Sequence, residues 1–309
     1  MSADESNGSP SAGEDAQEEG SETRAESPAG PSALSDSPAS SDAAASSATP
    51  PAAALPDDLR TPWSWGYLAV FLAFAFASLL ALDIAFVVFS MVALHATPAE
   101  LQKLATSDAR YVTARQALWF AALMLYLFAV VRFLHGAPFW RTIGWKQWRP
   151  RSLSPAGAGL ACLLGGAVLA IVVSMAAKLI GTKARLPIEA LFQDRQGVLL
   201  VMALAVLAAP LVEETIFRGY IYPVLARTLG VPAGVLLTGA LFGALHAMQL
   251  WGAWGLIALL VLVGVVLSYV RARTGTVLAS YLLHLGYNAM LFLGTAVSTN
   301  GFRHFPPGP

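Results

Sequence analysis

The chain has 309 residues, of which 56% are hydrophobic and 12% charged, and its nineteen basic and nineteen acidic side chains cancel to no net charge. A soluble domain carries nearer 25% charged residues, so this composition, with a mean hydropathy of +0.60, excludes an ordinary water-soluble globule. Cys162 is the one cysteine, which excludes an intrachain disulfide, a cysteine-based metal site and a redox pair; in its apolar setting it reads as a small packing residue.

The zero charge is a cancellation between two regions. Residues 1–60 hold twelve acidic residues against two basic ones, Arg24 and Arg60, which leaves seven acidic and seventeen basic residues in 61–309. Residues 1–60 are rich in Ser, Ala, Pro and Gly and almost devoid of large apolar side chains. Such a segment cannot bury enough apolar surface to offset its ordering entropy. It is predicted to be a disordered acidic tail. It starts acidic and has no apolar core, so it is not a signal peptide.

From residue 63 onward, apolar runs recur that approach the roughly 20 residues a membrane-spanning helix needs. They lie at about 66–94, 114–134, 157–180, 197–217, 233–250, 253–271 and 276–296. The fourth is expected to continue to about Leu229, where Gly230-Val-Pro232 stops it. The break between the fifth and sixth, at Trp251-Gly-Ala-Trp254, is weakly marked. The predicted fold class is therefore all-α: a polytopic transmembrane helical bundle of about seven spans with a disordered N-terminal tail. Its organisation divides into the tail 1–60, N-terminal transmembrane helices 61–196, a core 197–296 and a C-terminal tail 297–309. Trp63, Trp65 and Tyr67 read as an interfacial anchor for the first helix.

Between the second and third helices, Phe139 to Arg151 interleaves Trp with Arg and Lys. This is expected to be a membrane-surface segment and not a nucleic-acid site. With Arg132 it marks a cytoplasmic loop, and Arg227, Arg271 and Arg273 fall on the same side. Lys178, Lys183, Arg185 and Arg195 oppose that cue. Seven spans then give a cytoplasmic N-terminus, and the Ala-, Gly- and Pro-rich composition suits a bacterial inner membrane.

A charged side chain within a membrane helix costs roughly 3 kcal/mol even on lenient scales and faces a bundle interior or cavity. The intramembrane polar residues are thus site candidates: Asp83, Glu213, Glu214, Arg218, His246, His284 and Asn288. Glu214 and Arg218, at i and i+4, share a face and suit an ion pair. Glu213 points about 100° away from Glu214. A carboxylate there, between a like charge and a cation, is suited to taking and returning a proton. Pro210, one turn earlier, removes a backbone hydrogen bond and opens room beside Glu213. His284 and Asn288 share one helix face. His95, His135 and His304 lie in loops or the tail and read as solvated. Asp83 either caps a broken helix or pairs with a basic residue.

Three spacings stand together. Glu213-Glu-Thr-Ile-Phe-Arg-Gly219 fits EExxxR with an FRG ending, Phe242-Gly-Ala-Leu-His246 fits FxxxH, and His284-Leu-Gly-Tyr-Asn288 fits HxxxN. In order and spacing they resemble the CPBP family, the CAAX-protease and bacteriocin-processing membrane proteins also called the ABI family. The resemblance covers roughly 197–293. It implies an intramembrane endopeptidase in which Glu213 activates a water with help from His246, while His284 and Asn288 stabilise the oxyanion. The family's metalloprotease name implies a divalent metal such as zinc, for which Glu213, His246 and His284 are the candidate ligands. Against this, no HExxH helix is present and Asn288 is a poor zinc ligand, so a glutamate-activated water is the reading preferred. The expected substrate is a peptide or membrane protein. The alternative is a non-proteolytic membrane protein of the same fold: an immunity or secretion scaffold, or a proton-coupled carrier, which also places Glu, Arg and His inside helices.

Overall fold

The structure, a computed structural model, describes residues 56–148, 150, 152–181, 191–192 and 194–303. The predicted disordered tail up to residue 55 lies outside the described residues, as do Lys183, Arg185 and His304.

The described chain is helical throughout, with no strand among the described residues. Six helices are long and apolar enough to cross a membrane: α1 (Trp65–Ala93), α3 (Ala109–Leu134), α5 (Pro155–Ile180), α6 (Arg195–Leu229), α8 (Trp254–Thr274) and α9 (Val277–Ser298). A shorter apolar helix, α7 (Val231–Leu245), lies between α6 and α8. Two further helices, α2 (Pro98–Ser107) and α4 (Phe139–Thr142), sit in the connections. Large apolar side chains stand exposed along the outer helices, with Phe76 72% and Leu179 88% accessible. In water that exposure would be prohibitive, whereas against lipid tails it is ordinary. The chain is an integral membrane protein.

Local chemistry sets the helix ends. Ser154 caps α5 by accepting from Gly157 N at 3.1 Å, with Pro155 at the first helical position. Asp194 caps α6 in the same way. The connection α2, not anticipated from the sequence, opens with a reciprocal capping box between Thr97 and Glu100. Its low apolar content hid it among the longer runs.

One predicted boundary and one predicted environment need correction. The fifth run, expected over 233–250, stops at Leu245, because residues 246–252 form tight turns. His246 N and Ala247 N bond three residues back, to Gly243 O and Ala244 O, and Gly252 sits at φ 88°. His246 therefore ends α7 instead of lying inside it. His135, expected to be solvated, packs against the Tyr67 ring at 4.8 Å. The extension of α6 to Leu229 agrees with the sequence.

Helices α5 and α9 pack very closely. A Cβ on Gly166 would lie 1.9 Å from Leu283 O, and one on Gly286 would lie 2.1 Å from Leu163 O. Without a hydrophobic drive between helices in lipid, small residues that allow such backbone approach hold the pair together.

The basic loops meet at one end of the bundle. Thr276 Oγ1 donates to Lys146 O at 2.8 Å, and Val277 N to Gly144 O at 2.9 Å. At the same end Arg271 pairs with Asp58 at 2.7 Å, and Arg227 donates to Thr61 O at 2.7 Å and to Trp63 O. Trp63, expected to anchor at an interface, is instead fully buried, stacked on Tyr220 with its Nε1 bonded to Tyr220 O at 3.0 Å. Asp83 on α1 pairs with Arg115 on α3, the second of the two roles foreseen for it.

Candidate active site

Helix α6 carries the acidic pair, and its backbone is not uniform. Residues 203–208 and 215–221 widen to an i→i+5 pattern, and an α-helical stretch, 209–214, lies between them. Each widened segment ends just before a proline, Pro210 or Pro223. A proline offers no N–H, and a local change of register is one way a membrane helix absorbs that loss. Such segments recur at functional sites.

Glu214 and Arg218 form the predicted ion pair at 2.8 Å, both with fully buried side chains. Arg218 also donates to Gly264 O at 2.8 Å and to Ser268 Oγ at 3.3 Å, both on α8. Its guanidinium lies 4.8 Å from the Phe242 ring centroid. His284 on α9 donates Nδ1–H to Glu214 Oε1 at 3.0 Å. A carboxylate held by an arginine can only accept, so this contact fixes the imidazole's tautomer. The pair thus ties α6 to α8 and α9. It is buried scaffolding for the site, in contrast to its neighbour Glu213.

Glu213 is part accessible, and its Oε2 lies 3.8 Å from His284 Nε2. That gap is too long for a hydrogen bond. With Nδ1–H given to Glu214, the neutral imidazole has its free nitrogen turned toward Glu213. His246 is fixed similarly: its Nδ1 lies 2.9 Å from Phe242 O, an acceptor, so Nδ1 carries the proton and Nε2 is free. Phe242 packs against both imidazoles, with centroids 5.1 Å from His246 and 5.7 Å from His284. The FxxxH spacing therefore has two physical uses: its Phe carbonyl orients one histidine and its ring braces the other.

Asn288 is the exception. Its Nδ2 donates to Ala205 O at 2.8 Å. The structure brings Glu213, Glu214, Arg218 and His284 into direct contact and joins His246 through Phe242; Asn288 instead reaches the widened turn of α6.

The zinc expectation can be checked against the donor set. Among the described residues no three His, Cys, Asp or Glu side chains are grouped to hold a metal ion. His284 turns its two nitrogens to different carboxylates, and Phe242 packs on both histidines. As placed, Glu213, His246 and His284 are not grouped as three ligands.

Sequence reasoning missed the residues that hold this frame. Ser268 and the Gly264 carbonyl lie in an apolar helix with no motif around them. Trp145 donates Nε1–H to Thr215 Oγ1 at 3.1 Å, next to Glu214. Ile143 lies so close to Gly219 that a Cβ there would meet its Cγ2 at 2.4 Å, which explains the glycine of the FRG ending. Only the interleaved Trp and Arg of the 139–151 loop hinted at it.

A family model described as "Rce1-like: Type II CAAX prenyl endopeptidase Rce1-like" matches residues 195–290. Over this segment the chain is similar to the CAAX-protease family. The match begins at the first residue of α6 and ends inside α9, so the matched segment takes in all three motif helices. It supports, at the level of the family, an intramembrane protease. No curated protein and no solved structure matches the chain.

Proposed function

We propose that this protein is an intramembrane endopeptidase whose CAAX-protease domain hydrolyses a peptide bond with a glutamate-activated water. The observation that carries the proposal is the facing of Glu213 Oε2 and His284 Nε2 at 3.8 Å over a buried ion pair. Glu213 is the member of the acidic pair not consumed by Arg218, so it is the carboxylate free to act as a base.

In this reading a water sits beside Glu213 and hydrogen-bonds to His246 Nε2. Its oxygen attacks the carbonyl carbon while Glu213 takes its proton. The carbonyl electrons move onto oxygen, and His284, when it carries its second proton, donates Nε2–H to that oxyanion. Collapse breaks the C–N bond, and Glu213 returns its proton to the leaving amine. Preorganised donors in a water-poor cavity are worth about 3–4 kcal/mol each in comparable sites. Glu214 and Arg218 hold His284. Asn288 gives one Nδ2–H to Ala205 O and keeps its second Nδ2–H, which in this reading is offered to the oxyanion beside His284. No step needs a metal. The substrate is a peptide or a membrane protein, and the basic loop end, 139–148 with Arg227, Arg271 and Arg273, faces the cytoplasm of a bacterial inner membrane with the N-terminus on that side.

The test is cleavage by purified protein in liposomes, offered a fluorescence-quenched prenylated CAAX peptide and a set of single-span membrane peptides. We expect Glu213→Ala, His246→Ala and His284→Ala to lose at least about 100-fold. Equal processing by all three variants would overturn the proposal. Proton-coupled solute uptake that disappears in Glu213→Gln would point to a carrier instead.

A further inference from the structure

Residues 143–146, in the loop after α4, touch in alternation the two helices that carry Glu213 and His284. Ile143 lies against Gly219 of α6, and Trp145 donates Nε1–H to Thr215 Oγ1 of α6 at 3.1 Å. Gly144 O accepts instead from Val277 N at 2.9 Å, and Lys146 O from Thr276 Oγ1 at 2.8 Å, both at the start of α9. Gly144 sits at φ 100°, a left-handed value that glycine adopts without strain, and this turn lets neighbouring residues face different helices. The Trp145 ring also packs on Tyr281 of α9, with centroids 5.3 Å apart.

The attachment to α6 falls at a change of backbone register. The α-helical stretch 209–214 ends at Glu214, and the second widened stretch starts at Thr215. Thr215 Oγ1 donates to Leu211 O at 2.7 Å, so its lone pairs accept the Trp145 N–H. One hydroxyl thereby fastens the last turn of the α-helical stretch to the loop. Glu213 belongs to that turn. A helical side chain swings by about 100° for each residue of register, so the point where the widening begins sets the direction of Glu213. On α9, His284 stands one turn beyond Tyr281, the residue that the Trp145 ring packs on. The loop therefore bridges the same two helices as the Glu213–His284 gap, from the end of the bundle where the basic loops meet.

We infer that Trp145 is a positioning residue for cleavage: it holds Thr215 at the register change of α6 and so keeps Glu213 aimed at His284. This rests on the proposed role of Glu213. Trp145 itself touches none of the reacting atoms. It also lies outside the segment similar to the CAAX-protease family, which begins at residue 195. The site geometry therefore depends on a loop that the matched segment does not contain.

The experiment is a double-mutant cycle between Trp145→Phe and Thr215→Val in the full chain, reconstituted in nanodiscs. Phe keeps a ring against Tyr281 and removes the N–H; Val keeps the shape of Thr and removes the acceptor. Thr215→Ser, which keeps the hydroxyl, is the rescue variant. Cleavage of whichever peptide of the set above the wild type cleaves best is read at a temperature where melting curves show each variant fully folded. Trp145→Phe and Thr215→Val should each lower kcat by roughly 10–100-fold with little change in KM, since a displacement near 1 Å can cost about 100-fold. In the Thr215→Val background, Trp145→Phe should change kcat by less than about threefold more. Thr215→Ser should retain most of the wild-type kcat. A contact that serves folding alone would lower the melting temperature and leave kcat of the folded protein intact, and that outcome overturns the inference. Losses that multiply in the double variant also overturn it, because the two residues would then act independently. So does a loss in Thr215→Ser as large as in Thr215→Val. If Thr215→Val does not fold, Trp145→Phe decides alone, by whether kcat falls while KM and melting hold. Glu213→Gln is measured beside them. If it cleaves as the wild type does, the cleavage proposal fails and takes this inference with it; if it is inactive while Trp145→Phe keeps its kcat, only this inference fails.

Discussion

Glu213 Oε2 stops 3.8 Å short of His284 Nε2, while Glu214 Oε1, on the adjacent residue, holds the opposite nitrogen of the same imidazole at 3.0 Å. One histidine is thus shared by two neighbouring carboxylates that do different work. The gap on the Glu213 side is the space in which chemistry is proposed. The contact on the Glu214 side is closed and structural.

Glu213→Gln should therefore abolish cleavage yet leave the fold intact. Glu213 has no ion-pair partner at hydrogen-bond distance, so its removal orphans no buried charge. We expect a melting temperature near that of the wild type and activity reduced by at least about 100-fold. A variant that melts normally and cleaves normally would remove Glu213 from the mechanism.

Glu214→Gln should behave in the opposite way. It leaves the fully buried Arg218 guanidinium without its counter-charge, and breaking a buried pair from one side costs about 3–5 kcal/mol. Thermal unfolding in nanodiscs should show a large loss, which the double change Glu214→Leu with Arg218→Met should partly restore. A single variant as stable as the wild type would mean that the pair contributes little to folding.

Gly286→Ala tests the close packing of α5 and α9. The added methyl would sit 2.1 Å from Leu163 O, so the helices must separate, at a cost of about 1–3 kcal/mol. Because α9 carries His284, activity should fall with stability. Gly294→Ala on the same helix meets nothing within 4 Å and is the control expected to be neutral. Similar melting of the two variants would contradict the packing described for this pair.

Exhaustive chelation should leave the rate of peptide cleavage unchanged. The basis is the donor geometry: the free nitrogens of His246 and His284, together with Glu213, do not form a three-ligand group. Loss of activity on chelation, recovered on adding zinc, would show that the site closes around a metal.

The basic end gives a topological prediction. Gln147→Cys, in the exposed loop after α4, should react with a membrane-impermeant maleimide only from the cytoplasmic side. Lys103→Cys on exposed α2 should react only from the outside. The native Cys162 is buried and supplies little background. The reverse pattern would invert the orientation.

Much of the site was legible as spacing. Glu214 and Arg218 at i and i+4 had to share a face on any helix, and their ion pair follows from that. The length of α6 was legible too, since Gly230 and Pro232 mark its end. His246 was placed in the right run but at the wrong depth, because apolar composition does not distinguish a helix from the tight turns that follow it. The role of Trp63 was missed for a related reason: a tryptophan before a membrane helix is ordinarily interfacial, and only the nearby Tyr220 ring and carbonyl draw it into the interior.

By itself, the sequence determined that the chain lies in a membrane, that its long apolar runs number about seven, and which few polar side chains are candidates for chemistry. These follow from local periodicity and from the cost of charge in lipid, which need no partner. The tertiary structure alone decided which carboxylate pairs with Arg218 and which stays part accessible, which nitrogen of each histidine is engaged, and that Asn288 donates to the Ala205 carbonyl. Those are contacts between helices up to 83 residues apart in the chain, and a hydrogen bond depends on where its partner stands in space, which spacing along one helix does not encode.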